Sequence, residues 1–361
     1  MICRIPRRKT EHTQKKKVSR NQLIRSLKKI GYKDLSDQSS SLLVRRCLPT
    51  GIPCLDVLSA CDVDGVYGLP FGRQIEFSGK EDSGKTSIML AIAASAQRQG
   101  YIVLWIETEQ TLSKERAQVL GADIDYFLLD EPDYLEQAIS RVKKAVEKLP
   151  QYDEKGYSKN KGLVIFWDSI AATPTKAEYA PKKKKDVDEE KDSAMADFAR
   201  KMSRFQRQMK KKIAKRNVMM IYANQIKEKI GVMFGSKTAT YGGKALKYHC
   251  TLRFVITYTG KIKGKNNKPV GMTIKVDNIK NKCRMPFRGF EGLEFTFGGG
   301  FNYPQALLYA LETLGYAKKE GPKYFVYPLG QEASYKKSEF EKLIKNKPVI
   351  ARKLMEVVNG S

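Results

Sequence analysis

The residues whose types and spacing suit chemistry begin at Gly79-Lys80-Glu81-Asp82-Ser83-Gly84-Lys85-Thr86, which reads G-x-x-x-x-G-K-T. Such a loop cradles phosphates when a strand precedes it and a helix follows. Both are predicted here: Gln74 to Ser78 reads as a strand, and Ser87 to Gln99 as a helix closed by Gly100. Glycines let backbone N–H groups approach phosphate oxygens, because no Cβ blocks the way. The helix N-terminus adds roughly half a positive charge and unpaired donors. Lys85 would reach the β- and γ-phosphates, Thr86 would offer its hydroxyl to Mg2+, and Ser87 continues the same set.

Other elements must position the remaining groups. Strand-like runs recur at Tyr101–Ile106, Gly162–Trp167, Val218–Ala223, Thr251–Thr257 and Met272–Val276, with helical patterns at Lys114–Leu120, Leu135–Leu149 and Ala196–Arg216. This alternation predicts an α/β fold with a central, mostly parallel twisted sheet and helices on both faces. The connection from Thr259 to Pro269 looks like a hairpin, so part of the sheet is expected to be antiparallel. Ligands bind beyond the carboxyl ends of such strands. The runs end in Glu107-Thr108-Glu109, Asp168-Ser169 and Asn224-Gln225. Asp168 is placed to hold Mg2+ through water. Glu107 or Glu109 would orient and deprotonate an attacking water. Side chains alternate along a strand, so both face one ligand only if the strand has given way to a loop. Gln225 is placed to sense a γ-phosphate. Trp105 and Trp167 read as packing between sheet and helix.

Composition names the partner class. The chain has 361 residues, a net charge of +28 and 41% hydrophobic residues, enough for a core. That charge opposes compaction and calls for a polyanion, nucleic acid first and an anionic membrane surface second. No apolar run approaches the roughly 20 residues that span a bilayer, and Met1 to Lys17 lacks the apolar stretch of a signal peptide. A soluble, cytoplasmic protein is expected. The six cysteines form no C-x-x-C pair, so neither a disulfide framework nor a zinc site is expected, and Cys250 reads as a buried thiol in a strand. His12 and His249 receive no catalytic role.

Residues 1–20 read as a basic, disordered arm. A short helix opens at Asn21, with Leu23, Ile24, Leu27 and Ile30 on one face and Gly31 as its stop. A Ser-rich linker (36–41) and a short strand at Ser41–Arg45 follow. This unit is too small to bury its own face, so it docks on its own core or on a neighbouring subunit. Two long loops are expected, Tyr179 to Ser193 with Lys182–Lys185, and Ile226 to Tyr241 before Gly242-Gly243. Between them, Met195, Phe198, Met202, Phe205, Met209 and Ile213 form an apolar core stripe. Arg200, Arg204, Arg207 and Lys211 form a cationic row on another face, suited to a nucleic-acid backbone. Gly298-Gly299-Gly300 reads as a hinge, followed by helices at Pro304–Leu314 and Lys337–Val358 with a strand at Tyr324–Tyr327. Three domains are expected: 1–47, an arm; 48–299, the core; and 300–361, a small basic α/β unit.

With these residues laid out, the chain from about Leu48 onward resembles the RecA family of recombinases. Gly79–Thr86 resembles its Walker A segment, Ile106 to Glu109 the strand end with the catalytic glutamate, and Trp167 to Ala172 its Walker B segment. The most specific stretch is Asn224-Gln225-Ile226, Lys229 to Gly235, Gly242-Gly243 and Ala245 to Tyr248. The resemblance implies a RecA-type ATPase core with ATP and Mg2+ as cofactors, Glu109 as catalytic glutamate and Gln225 as nucleotide switch. It implies a second DNA-binding loop containing Lys229, Ile230, Gly242, Gly243 and Lys244. Met195 and Ile230 would wedge between bases, while Arg200, Ser203, Arg207, Gly242 and Gly243 would contact phosphates. Lys280 and Lys282 would reach the ATP of the adjacent subunit, as an arginine finger does elsewhere. The N-terminal helix and Leu42–Val44 would dock on that neighbour.

Departures are visible too. The loop before Met195 has a Lys-rich insertion (182–191), and the adenine positions fall on Ser113 and Arg116, whose guanidinium plane suits base stacking. Lys244 and Tyr248 replace a common asparagine and phenylalanine, and an acidic C-terminal tail is absent. The expected protein is a DNA-dependent ATPase that forms filaments on single-stranded DNA, pairs it with homologous double-stranded DNA and exchanges strands. Single-strand-binding and mediator proteins are further expected partners, the nucleoid its expected place, and no membrane is expected. The rivals are a non-catalytic ATP-binding DNA-coating scaffold, a ring helicase on the same core and, more distantly, a membrane-surface ATPase.

Overall fold

The computed structural model describes residues 19–32, 40–153, 161–179, 187–228, 238–240, 245–283 and 288–359, with backbone alone at 187–193, 227–228 and 238–240. The N-terminal part runs α1 (Arg20–Lys29), α2 (Pro53–Ser59), β1 (Gln74–Gly79), α3 (Lys85–Arg98), β2 (Ile102–Glu107), α4 (Lys114–Val119), β3 (Phe127–Asp130) and α5 (Leu135–Lys148). Then come β4 (Leu163–Asp168), α6 (Val187–Ala214), β5 (Val218–Glu228), β6 (Thr238–Thr240), α7 (Ala245–His249), β7 (Leu252–Lys263) and β8 (Pro269–Asn281). The last part holds β9 (Arg288–Thr296), β10 (Gly300–Phe301), α8 (Tyr303–Thr313), α9 (Lys337–Asn346) and α10 (Pro348–Val358). The ten strands form one sheet in the order β10-β9-β8-β7-β1-β5-β4-β2-β3, with β6 paired to β5. Neighbours from β7 to β3 pair in parallel; β7–β8, β8–β9, β9–β10 and β5–β6 are antiparallel.

The sheet is apolar on both faces because helices cover both. On β4, Val164 and Phe166 join one cluster, where Ile88, Met89 and Ile92 of α3 pack. Leu163, Ile165 and Trp167 join the other, under Val142 and Val146 of α5 and the stripe Phe198, Met202, Phe205, Met209, Ile213 of α6. Each large side chain so buried contributes about 1.5–3 kcal/mol. Trp105 stacks on Phe166 at 5.2 Å between ring centroids, and Trp167 meets Phe205 edge-on at 6.0 Å. Both indoles are packing residues, as the sequence predicts. A third cluster joins Leu311, Val326, Phe340, Ile344 and Leu354 to Val57 of α2.

α1 starts at a capping box in which Ser19 Oγ accepts from Gln22 N at 3.2 Å and Gln22 Oε1 from Ser19 N at 3.0 Å. Such a cap is worth about 1 kcal/mol. The stripe Leu23, Ile24, Leu27 and Ile30 is exposed, so α1 does not dock on the described core of its own chain.

Six expectations change. Ser41–Arg45 is no strand: Arg73 holds the segment through the Ser41 and Leu42 carbonyls, at 3.4 and 2.5 Å, and the local pairing is Cys47–Leu48 with Leu69–Pro70. The loop placed at 179–193 already becomes helix at Val187. The loop placed at 226–241 begins as a hairpin stem, with Ile226 opposite Thr240. Gly298–Gly300 is a turn rather than a hinge, because Gly300–Phe301 pairs back on β9. The helix expected over Lys337–Val358 is two, since Pro348 lacks an N–H and starts a new one. Cys250 follows α7 instead of lying in a strand, and is buried as expected.

Candidate nucleotide site and nucleic-acid face

β1 delivers the phosphate-binding loop. A Cβ at Gly79 would sit 2.4 Å from Ser83 Oγ and 2.5 Å from the Ile256 carbonyl, so only glycine fits this turn. Gly84 caps α3 with a φ of +94°, and the cap makes no side-chain hydrogen bond. The first-turn amides are thus left to a ligand. Lys85 is buried; its Nζ donates to the Lys80 carbonyl at 2.6 Å and the Gly79 carbonyl at 3.3 Å. Burial pushes its pKa down, while Asp168 and Glu109 pull it up.

β4 brings Asp168 alongside. Thr86 Oγ1 donates to Asp168 Oδ2 at 2.8 Å. Burial pushes the Asp168 pKa up to about 7; Glu109 and Glu107 add to the rise, and Thr86 and Lys85 oppose it. A divalent cation between Thr86 and Asp168 would relieve that excess of buried negative charge. The Ser83 hydroxyl, within the loop, is buried and has no partner among the described residues, so this donor set fits a phosphate–Mg2+ group.

The two glutamates part company. Glu107, the last residue of β2, is buried and accepts from Trp105 Nε1 at 3.1 Å and from Glu109 N at 2.9 Å. It builds the following bend and does not line the nucleotide cavity. Glu109 lies in that bend, where strand alternation no longer holds, and accepts from Ser169 Oγ. The cavity, about 990 Å³, is lined by Lys80–Ser87, Glu109, Arg116 and Gln225. It is also lined by Tyr258, Lys261, Met272 and Phe297, which sequence reading missed. These come from β7, β8 and the turn after β9, and no motif ties them to the loop. Ser113, expected at the base, is the N-cap of α4 and accepts from Arg116 N at 3.1 Å.

Lys280 and Lys282 stand elsewhere; neither lines this cavity. Lys280 Nζ donates to the Lys247 and Tyr248 carbonyls at the end of α7. Burial first, then Lys282, push its pKa down to about 8. Lys282 lines a separate cavity of about 710 Å³ with Arg73, Lys210 and His249. Burial and then Lys210, Arg207, Lys280 and Lys282 hold the His249 pKa below the usual imidazole range. This face is therefore a field of cations.

On α6 the apolar stripe is buried from Phe198 to Ile213, whereas Met195, expected in the core, is half exposed. Arg204 and Arg207 are exposed, Ser203 is partly so, and Arg200 pairs with Asp197 at 2.7 Å. Lys229, Ile230, Gly242, Gly243 and Lys244 lie outside the described residues, as do Lys182–Lys185.

The sequence profile of the RecA N-terminal domain matches residues 34–302. The chain is 35% identical over 296 residues to Protein RecA of Haemophilus ducreyi, covering 82% of this chain and 74% of that one. It is 34% identical over 296 residues to Protein RecA of Mannheimia haemolytica, with the same coverage. To Protein RecA of Cereibacter sphaeroides it is 35% identical over 260 residues, 72% of this chain and 70% of that one. With a phosphate loop and a glutamate lining one cavity, a buried aspartate bonded to that loop, and this likeness over most of its length, the chain belongs to the RecA family.

Proposed function

We propose that this protein is a DNA-dependent ATPase that assembles on single-stranded DNA, pairs it with homologous duplex and exchanges strands. The observation that carries the reading is the split of the hydrolytic groups: the loop and Glu109 line one cavity and Asp168 accepts from Thr86 of that lining, while Lys280 and Lys282 stand outside it. A second copy, placed head to tail, brings those lysines to the first copy's γ-phosphate. Gly79 to Thr86 bind the phosphates, and Thr86 and Asp168, the latter through water, would hold Mg2+. Bound there, the ion neutralises charge developing on the phosphate oxygens. Glu109 orients the attacking water and takes its proton, and Ser169 holds that carboxylate in place. Gln225, at the cavity wall, reads the γ-phosphate and passes its presence along β5. Arg116 and Phe297 offer flat surfaces to the base.

Exposed Met195, Arg207 and their neighbours on α6, with Lys229, Ile230 and 242–244, form the DNA side. Contact there is to phosphates, so binding is nearly independent of sequence and steeply dependent on salt. Residues 1–47 serve as the polymerisation arm, 48–299 as the core, and the remainder as a small accessory domain. No described helix is long and apolar enough to cross a membrane. Single-strand-binding and mediator proteins are further partners.

The test is ATP hydrolysis with and without single-stranded DNA, across protein concentration and salt. Strong stimulation with cooperative dependence on protein concentration supports the reading. DNA binding without stimulated turnover overturns it in favour of a coating scaffold.

A further inference from the structure

Between the P-loop and the lysine-bearing strand lies a buried charge that the nucleotide chemistry does not use. Glu76, in the middle of β1, has no exposed surface. Its Oε2 receives Arg253 Nε of β7, and its Oε1 receives Asn224 Nδ2 of β5 at 2.8 Å. The parallel register sets these groups side by side, with Glu76 opposite Arg253 on one side and opposite Tyr222 on the other. Gln74, two residues earlier on the same face, donates to the Gln206 carbonyl of α6 at 3.3 Å. Gln206 immediately precedes Arg207 on the cationic row.

The two partners of Glu76 lead to different functional groups. Asn224 is joined by one peptide to Gln225, which lines the nucleotide cavity. Arg253 stands directly across the antiparallel ladder from Lys280, at the point where a bulge at Ile279 shifts the register. β8 is then tied down beyond the lysine: Asn281 Nδ2 donates to the Ser59 carbonyl at 2.6 Å and its Oδ1 accepts from Cys283 N at 2.8 Å. One carboxylate thus holds the switch segment on one side and, on the other, the strand that pairs with the lysine strand.

A buried ion pair is weak evidence for stability, because desolvation offsets most of the attraction, and an apolar replacement often folds as well. Its use lies in fixing geometry, since losing Arg253 leaves the carboxylate without its counter-charge and losing Asn224 leaves one of its oxygens without a donor, in a medium that penalises both. We propose that Glu76, with Asn224 and Arg253, is a positioning unit that makes the γ-phosphate-sensing strand and the lysine strand move as one body. It carries nucleotide state from one subunit interface to the next. This rests on the ATPase reading above, with Gln225 as sensor and Lys280 and Lys282 acting on the neighbour. In a filament the same chain senses its own nucleotide on one side and serves its neighbour's on the other, and Glu76 lies on the path between them.

The decisive variant is Asn224→Ala, which removes the hydrogen bond to Glu76 Oε1 and leaves the Glu76–Arg253 pair and its charge balance intact. The expected result is an unchanged KM for ATP and a kcat with DNA lowered about tenfold. A merely structural role would lower the melting temperature and leave that split unmoved. Hydrogen exchange supplies a readout without DNA. In the wild type a non-hydrolysable ATP analogue should protect the Asn224 and Lys280 segments together, and in Asn224→Ala the first alone. Glu76→Gln, which leaves Arg253 without its counter-charge, should give the same split wherever it folds. Equal protection of both segments in Asn224→Ala, with kcat unchanged, overturns the proposal. A wild type that DNA does not stimulate overturns the ATPase reading instead, and the exchange experiment still decides whether the two strands are coupled.

Discussion

Lys85 and Lys280 show two ways of keeping an ammonium group inside a protein. Lys85 faces Asp168 and Glu109, so its burial is answered by carboxylates of its own chain. Lys280 is half-buried against carbonyls, with Lys282 and Arg253 as its nearest cationic influences. The first arrangement is held in place by bonds within its own chain, from Lys85 to the Gly79 and Lys80 carbonyls and from Thr86 to Asp168. The second is a like-charge cluster that a polyphosphate would relieve. On the proposed reading, one half of the site is assembled when the chain folds, and the other gains its anion only when subunits meet.

Breaking the complete half should have the largest effect. Lys85→Ala is expected to lower ATP turnover by about 10²–10³-fold, with radiolabelled phosphate release as the measure. A mixture tests the division itself. Glu109→Gln damages only the subunit's own site, and Lys282→Ala only its neighbour's. Each alone should be inactive, while an equimolar mixture should recover about a quarter of wild-type turnover, because one interface in four pairs an intact glutamate with an intact lysine in a head-to-tail assembly. No recovery would place the lysine in its own subunit's site.

Proton titration sharpens the comparison with a smaller effect. Lys280 carries its charge below about pH 8 and loses it above. At limiting ATP, where the lysine has no phosphate against it, turnover should therefore fall as pH rises through about 8, and Lys280→Arg should flatten that limb of the profile. The smallest effect is expected at a group that neither half uses. Asp56 is fully buried, accepts from Thr50 N at 2.7 Å, and burial pushes its pKa up to about 8. The folded state holds a proton there that the unfolded state has already lost, so stability falls as pH rises from about 4 to about 8. Asp56→Asn should melt higher than wild type at pH 9 and alike at pH 4, by scanning calorimetry, with turnover unchanged.

The phosphate loop, Asp168 and the parallel strands that carry them are legible in the sequence because the loop's spacing and the apolar strand runs are local. Glu109 is legible as one of two glutamates. What separates them is the Trp105 indole and the Glu109 amide that occupy Glu107, contacts no periodicity reports. Tyr258, Lys261, Met272 and Phe297 escape because the antiparallel extension brings them to the cavity across a long separation in sequence. Ser41–Arg45 was misread for a related reason. Its apolar residues suggest a strand, yet a guanidinium from Arg73 satisfies the carbonyls that a neighbouring strand would have taken. Glu76 gave a faint signal, a lone acid within a buried strand, whose partners lie 148 and 177 residues away.

The placement of Lys280 and Lys282 away from their own phosphate loop has an arithmetic consequence. With the lysines serving a neighbour's nucleotide as proposed, an open row of such subunits leaves the loop at one end without them, so it has one fewer working site than it has members. Turnover per subunit should start near zero for a single chain, reach about half its limit for a pair, and level off in long rows. The specific activity of a sample then reports its length distribution, and anything that severs rows slows hydrolysis without touching a single active-site residue.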